Sequence, residues 1–145
     1  MELTKKEGFT LIEVLIALAI VVTMGAVVGP PMMRWIKRSK VDATNQSMKA
    51  IETALVSYYS DMGKFPSTAD GLDVLVVDPV GASGRWQGPY LEKSPTDAWN
   101  NDFEYNSYRD IKNKDKGFTS YEIISYGEGG AEGGSEYEAE IIVGK

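Results

Sequence analysis

The chain has 145 residues, a formal net charge of −6 at pH 7, and neither cysteine nor histidine. Without cysteines no disulfide can staple the core, and without histidines the chain lacks the commonest general base and transition-metal ligand. The acidic balance argues against a nucleic-acid-binding surface, which normally needs a basic patch.

The first predicted element is an apolar helix that begins at Phe9 and carries no charge between Glu13 and Arg34. From Phe9 to Gly29 it would rise about 30 Å, at about 1.5 Å per residue, which is enough to cross the hydrocarbon core of a bilayer. A charge within the hydrocarbon costs at least about 2.5 to 3.5 kcal/mol. The sequence therefore predicts a membrane-spanning helix in which Glu13 needs either a partner or a position near the edge.

Two interpretations of Glu13 are open. Thr10 and Glu13 have the spacing of a capping box, in which Glu13 would only help to begin the helix. The residues upstream add a second interpretation, because residues 1–8 form a short polar segment that ends in Gly8 directly before the apolar run. A secretory signal has its cleavage site after the apolar stretch, so here the leader is predicted to be removed and the helix retained.

The segment Gly8-Phe9-Thr10-Leu11-Ile12-Glu13 resembles the processing site of type IV pilins and type II secretion pseudopilins. The resemblance implies cleavage between Gly8 and Phe9 by a prepilin peptidase, followed by N-methylation of Phe9. The new amino terminus would be cationic at neutral pH. In a filament, Glu13 of one subunit would neutralise the Phe9 amine of a neighbour and set the register. This pairing is compatible with the capping box.

The predicted organisation is a leader at 1–8, a transmembrane and filament-core helix at 9–33, and a head at 34–145. The positive-inside rule would place the head in the cytoplasm, because a basic cluster follows the apolar run at Arg34, Lys37, Arg38 and Lys40. The resemblance implies the opposite orientation, a single-pass protein of the inner membrane whose head is periplasmic.

The helix is predicted to change at Pro30 and to continue afterwards. The Gly29-Pro30-Pro31 segment predicts a kink or a melted turn, because proline removes an amide donor. Beyond it, apolar or small side chains recur at spacings of three and four, at Val41, Thr44, Met48, Ile51, Leu55, Tyr58 and Met62. Such a stripe is either a coiled-coil seam or, more commonly, the core face of a helix. Gly63 is the predicted C-terminal cap.

Two segments follow that resemble the G-subunit family of type II secretion pseudopilins. Residues 58–72 are similar to the segment that closes the family's long helix, and Ser67 or Thr68 is predicted to cap a short helix to about Val76. Residues 88–101 are similar to the turn before the family's sheet, with Asn100 in place of a glycine. Asparagine tolerates the left-handed conformation that such a turn needs.

Asp97 could, by residue type alone, form an acid/base pair with Asp102 or Glu104. No nucleophile or base accompanies these residues, and turn-forming carboxylates are far commoner. The sequence therefore predicts that the chain is not an enzyme.

Three strands are predicted, at Phe103–Tyr108, Tyr121–Ser125 and Glu140–Val143, with a charged hairpin loop at 109–117. A small antiparallel sheet packed on the long helix gives an α+β fold of the type IV pilin-like kind.

The glycine-rich acidic segment 125–141 is either a solvated loop or a calcium site. The resemblance implies calcium, with the carboxylates of Glu138 and Glu140 and the carbonyl of Tyr126 as ligands. The segment departs from the family at Gly129, which stands where an aspartate ligand is usual, and in having glutamates at the two matched positions.

The predicted function is that of a major pseudopilin, which polymerises into the periplasmic pseudopilus that drives protein export by type II secretion. The implied partners are further copies of the chain, prepilin peptidase, minor pseudopilins, and the inner-membrane platform with its assembly ATPase. The alternative is a type IV pilin or minor pilin, used for adhesion, motility or DNA uptake. Those pilins commonly carry a cysteine pair near the C-terminus, which this chain lacks.

Overall fold

The computed structural model describes residues 8–79, 81, 84–134 and 140–145, without the side chain of Pro30. It divides into two compact units, Met1–Lys37 and Arg38–Lys145. Helix α1 (Leu11–Met62) contributes to both units. Three strands follow, β1 (Glu104–Ser107), β2 (Tyr121–Ser125) and β3 (Ile141–Gly144).

In the first unit the helix is unbroken. It continues through Gly29, Pro30 and Pro31, so the predicted melted turn is wrong for this structure. Prolines at two adjacent positions remove two amide donors, but the hydrogen bonds of the turns on either side can hold the helix together. The kink at Pro30 stays a prediction.

In the second unit α1 contributes one face of the core. Val41 is half-buried, but the predicted stripe from Thr44 onward is buried within the unit, which decides for a core face over a coiled-coil seam. Its fully buried members are Thr44, Met48, Ile51 and Leu55. Gly63 ends the helix as predicted, at φ +74°, with its amide donating to the Tyr59 carbonyl at 2.8 Å.

The sheet is antiparallel, in the order β1-β2-β3. In its register Tyr105 faces Ile123 across β1 and β2, and Ile124 faces Ile142 across β2 and β3. Every residue of the central strand β2 is buried. The three predicted strands are confirmed, and every observed strand end lies within one residue of the predicted one.

The short helix predicted from Ser67 to Val76 is wrong in type. The structure has a turn at Ser67, capped by Asp70, and then a 3-10 helix at Asp73–Leu75. Gly71 separates the two at φ +62°, a left-handed conformation that an α-helix cannot include. Leu72 and Leu75 are buried in the core.

Candidate functional site

The N-terminal segment has the geometry of a capping box. The backbone amide and the hydroxyl of Thr10 both donate to Glu13 Oε2, each at 2.8 Å. The Glu13 amide donates back to the Thr10 hydroxyl at 3.3 Å. Helix α1 begins at Leu11, so the pair closes its first turn.

Phe9 and Glu13 are exposed beside each other on the first unit. Phe9 is 91% exposed, and with Glu13 and Ala17 it lines a shallow groove of ≈ 450 Å³. The rest of this part of α1 is also apolar and exposed. By length and composition α1 is the one helix, among the described residues, that could cross a membrane.

In the second unit, Asp97 organises the turn before the sheet. Its Oδ1 accepts the amides of Trp99 at 2.9 Å and Asn101 at 2.8 Å, and its side chain is buried. Asn100 has the left-handed conformation predicted for it, at φ 69°. The amide of Ala98 donates to the buried hydroxyl of Thr44 at 3.1 Å, which ties the turn to α1.

The same turn is bonded to the start of the glycine-rich loop. Asp97 Oδ2 accepts the Ser125 hydroxyl at 2.8 Å, and that hydroxyl accepts the Gly127 amide at 3.2 Å. The Asn101 side-chain amide donates to Asp97 Oδ2 at 3.2 Å and to the Gly127 carbonyl at 2.9 Å. A buried carboxylate that accepts four such bonds is a structural group, and this is the turn-forming role expected of Asp97.

The structure describes two of the three predicted calcium ligands. The Tyr126 carbonyl accepts the Gly130 amide at 3.2 Å, and Glu140 Oε1 accepts the Gly133 amide at 3.2 Å. Both are oxygen donors of the kind that calcium prefers. Glu138 lies outside the described residues, and among those described no three acidic side chains gather into a metal site. The calcium site therefore stays a prediction.

Residues 31–144 match the sequence profile of the family described as "Type II secretion system (T2SS), protein G". The chain belongs to this family. Residues 3–29 match a second profile, the prokaryotic N-terminal methylation motif, which covers the segment that contains Gly8, Phe9 and Glu13. The family predicted from the sequence is confirmed, and membership favours the pseudopilin over the alternative of a type IV pilin.

Curated members of the protein G family align along almost the whole chain. The type II secretion system core protein G of Pseudomonas aeruginosa is 35% identical over 144 residues, covering 97% of this chain and 96% of the relative. That of Vibrio cholerae is 30% identical over 142 residues, covering 97% and 92%. A crystal structure of the major pseudopilin from the type 2 secretion system of enterohaemorrhagic Escherichia coli matches with a TM-score of 0.60 and 22% identity. It covers 78% of this chain and 93% of the other, and shows the shared fold.

The sequence did not predict the structural roles of two polar residues in this member of the protein G family. One is Asn101, whose amide joins the turn to the glycine-rich loop. The other is Glu122, which is fully buried in β2. For Asn101 the sequence gives a weak signal, an asparagine four residues after a turn-forming aspartate. For Glu122 the alternation of side chains along β2 gives no signal of burial.

Proposed function

We propose that this chain is the major subunit of a periplasmic pseudopilus, which polymerises in the inner membrane and drives protein export by type II secretion. Membership of the protein G family supports this role. The observation that carries it is the exposed apolar part of α1 with Glu13 in its first turn. The apolar surface of such a helix must be buried against lipid or against other apolar helices. In a subunit that moves from bilayer to filament, lipid would bury this surface first and the helices of neighbouring subunits would bury it afterwards.

Processing would come first. Prepilin peptidase would cut between Gly8 and Phe9, and the new amine of Phe9 would be methylated; the match to the methylation motif supports both steps. The cut creates a cation four residues before Glu13. On assembly, Glu13 of a neighbouring subunit would pair with it, and because an unpaired buried charge costs about 3 to 5 kcal/mol, this pair would reject subunits added out of register.

Two substitutions separate this pair from the capping box. Glu13→Gln removes the charge but keeps a side chain that can accept the Thr10 amide, because glutamine also serves in capping boxes. Thr10→Ala removes the cap but keeps the charge. We expect Glu13→Gln to abolish filaments in cells that overproduce the chain, and Thr10→Ala to assemble, as measured by electron microscopy and crosslinking of sheared fractions.

The opposite result, filaments from Glu13→Gln and none from Thr10→Ala, would leave Glu13 as a helix cap only. Mass spectrometry of the membrane-extracted parent chain tests processing separately. It should begin at a methylated Phe9, and an intact Met1 would contradict the proposal.

The proposed topology is a single pass with a periplasmic head, and the proposed partners are minor pseudopilins, the inner-membrane platform and its assembly ATPase. Protease added to right-side-out vesicles should degrade residues beyond Lys37, while inverted vesicles should protect them. Degradation in the inverted vesicles and protection in the right-side-out vesicles would mean that the basic cluster, and not the leader, sets the orientation. Deletion of the gene should abolish the export of secreted proteins and leave surface fibres unchanged.

We also propose that the glycine-rich loop binds calcium through Tyr126, Glu138 and Glu140. The described carbonyl and carboxylate oxygens support it by their chemistry. Calorimetry on the detergent-solubilised chain should detect binding of millimolar calcium and a rise in melting temperature, both lost in Glu140→Gln and kept in Glu132→Gln. No heat and no change in melting temperature with the parent would refute the site.

A further inference from the structure

The second unit has a groove beside the C-terminal end of α1, with aromatic rings and two cations among its lining residues. Its volume is ≈ 460 Å³, which is large enough to accept side chains of a partner. The side chains of Tyr59 and Tyr108, which line it, are 48% and 57% exposed. Because so much aromatic surface faces solvent here, the groove has the composition of a docking surface.

Ring contacts fix the shape of this groove. The Phe65 ring contacts those of Tyr59 and Tyr121, at centroid distances of 4.7 and 5.0 Å. The Arg109 guanidinium lies 5.3 Å from the centroid of the Tyr108 ring, and its Nε donates to the Tyr108 hydroxyl. Since these side chains are already ordered, a partner would bind with little further loss of conformational entropy.

Lys64 and Arg109 give the groove a positive lining, and no acidic residue is among the residues that line it. Asp61 and Asp110 are close to them in the sequence, and both carboxylates accept hydroxyl groups within the same unit. In the described part of the chain neither carboxylate forms an ion pair with the two cations. These acidic neighbours weaken the attraction for an anion, so an apolar group of the partner has to supply most of the affinity.

The chain itself carries a complementary feature, an exposed valine followed by an exposed aspartate at Val77 and Asp78. Val77 is 66% exposed and is not among the residues that line the groove. Its amide donates to the first carbonyl of the 3-10 helix at 2.9 Å, which fixes the backbone that presents the side chain. An apolar side chain beside a carboxylate matches a groove of aromatic rings and cations.

We propose that Val77 of one subunit docks in the groove of a second copy of this chain, with Asp78 beside Arg109 and Lys64. The two surfaces consist of different residues, so the contact is heterologous, and each copy can use its groove with one neighbour and Val77 with another. A heterologous contact that does not close into a ring gives a filament.

The contact is weak by itself, because it buries one valine side chain and pairs charges at the protein surface. It acts between subunits that α1 already holds side by side, where the effective concentration of the heads is high. The inference therefore rests on the proposed polymerisation, and it names a contact between the heads of neighbouring subunits.

Introduced cysteines can report this contact without background, because the chain has none of its own. Thr119 is an exposed residue of the groove, and its side chain is close to cysteine in size. Full-length Val77→Cys/Thr119→Cys is produced in cells that form filaments, and the sheared filaments are treated with a short bismaleimide. We expect a ladder of crosslinked oligomers, and no dimers from Val77→Cys alone or Thr119→Cys alone. Dimers from either single variant, or no ladder from the double variant, would overturn the proposal.

Charge reversal in the same cysteine background tests the role of Asp78. Asp78→Lys and Arg109→Asp should each lower the crosslinking yield about fivefold, because like charges then meet across the contact. Asp78→Lys/Arg109→Asp in one chain should restore it, which a folding defect would not do. Glu92→Lys reverses an exposed acid outside both surfaces and should leave the yield unchanged. An undiminished yield in Asp78→Lys, or no recovery in the combined variant, would contradict the contact.

Electron microscopy of the same cells separates this inference from the proposed function. Filaments of Val77→Cys/Thr119→Cys that give no ladder would overturn the docking contact and leave the polymerisation intact. An absence of filaments from the parent chain would refute the polymerisation, and the docking contact with it.

Discussion

At the scale of single residues, Glu122 shows how one buried carboxylate holds a charged loop against the sheet. Its two oxygens accept the backbone amides of Lys112 and Asn113 and the side-chain amides of Asn106 and Asn113. Burial alone would raise the pKa of Glu122, but these hydrogen bonds outweigh it and lower the pKa below its usual value. The ionised form is therefore the one that the fold stabilises.

This lowered pKa predicts acid sensitivity. Ionised Glu122 contributes fully to the free energy of unfolding above its unfolded-state pKa near 4.5. This contribution is lost as the pH falls through the lower pKa of the folded state. Glu122→Gln places an amide against donors and should cost about 1.5 to 3 kcal/mol at neutral pH. Urea unfolding, monitored by tryptophan fluorescence between pH 7 and pH 3, measures the loss of stability with falling pH and the cost of Glu122→Gln. The exposed Glu92→Gln is the control, and an equal loss in the two variants would contradict this role.

Asp97 offers a second test at this scale. Asp97→Asn keeps the size of the side chain but turns a donor toward the Ser125 hydroxyl or the backbone amides of the turn. We expect a loss of about 2 to 3 kcal/mol in the free energy of unfolding. Asp102→Asn, on an exposed neighbour, should change it by less than about 0.5 kcal/mol. Similar values for both would mean that the hydrogen bonds of Asp97 do not stabilise the turn.

At the scale of elements, α1 carries two different surfaces along one helix. In the first unit its apolar side chains are exposed, and in the second its apolar stripe is buried under the sheet and the loops. The periodicity of the sequence predicted the stripe because a helix repeats every 3.6 residues. It could not tell a core from a coiled-coil seam, because both need the same spacing.

Two neighbouring residues test the buried stripe. Leu55 is fully buried and Val56, the next residue, is 49% exposed. Leu55→Ala should cost about 2 to 5 kcal/mol, because it removes apolar contacts and leaves a cavity. Val56→Ala should cost less than about 1 kcal/mol. Chemical denaturation of the two variants in detergent gives both values, and comparable costs would show that the stripe is not the core.

At the scale of the whole molecule, the division at Lys37 separates a unit with an exposed apolar helix from a unit with its own hydrophobic core. Among the residues that the structure describes, the hydrophobic core lies in the second unit, from Met48 onward. We therefore expect the fragment 38–145 to fold by itself, to stay soluble and monomeric in size-exclusion chromatography, and to form no filaments. A fragment that aggregates, or whose circular dichroism lacks the expected helix, would show that the head needs residues 8–37.

The sequence by itself determined the long apolar helix, the N-terminal methylation motif that contains Gly8 and Phe9, the core stripe and the three strands. Each of these depends on local composition, spacing or periodicity, which the chain displays without folding. Only the tertiary structure decided that the helix continues through Pro30, that Gly71 limits the predicted short helix to a 3-10 turn, and that Asn101 and Glu122 join distant loops. The links made by Asn101 and Glu122 depend on contacts between residues far apart in the chain, and a local pattern does not contain them. At Pro30 and Gly71 the backbone had two conformations open to it, and residue type alone did not choose between them.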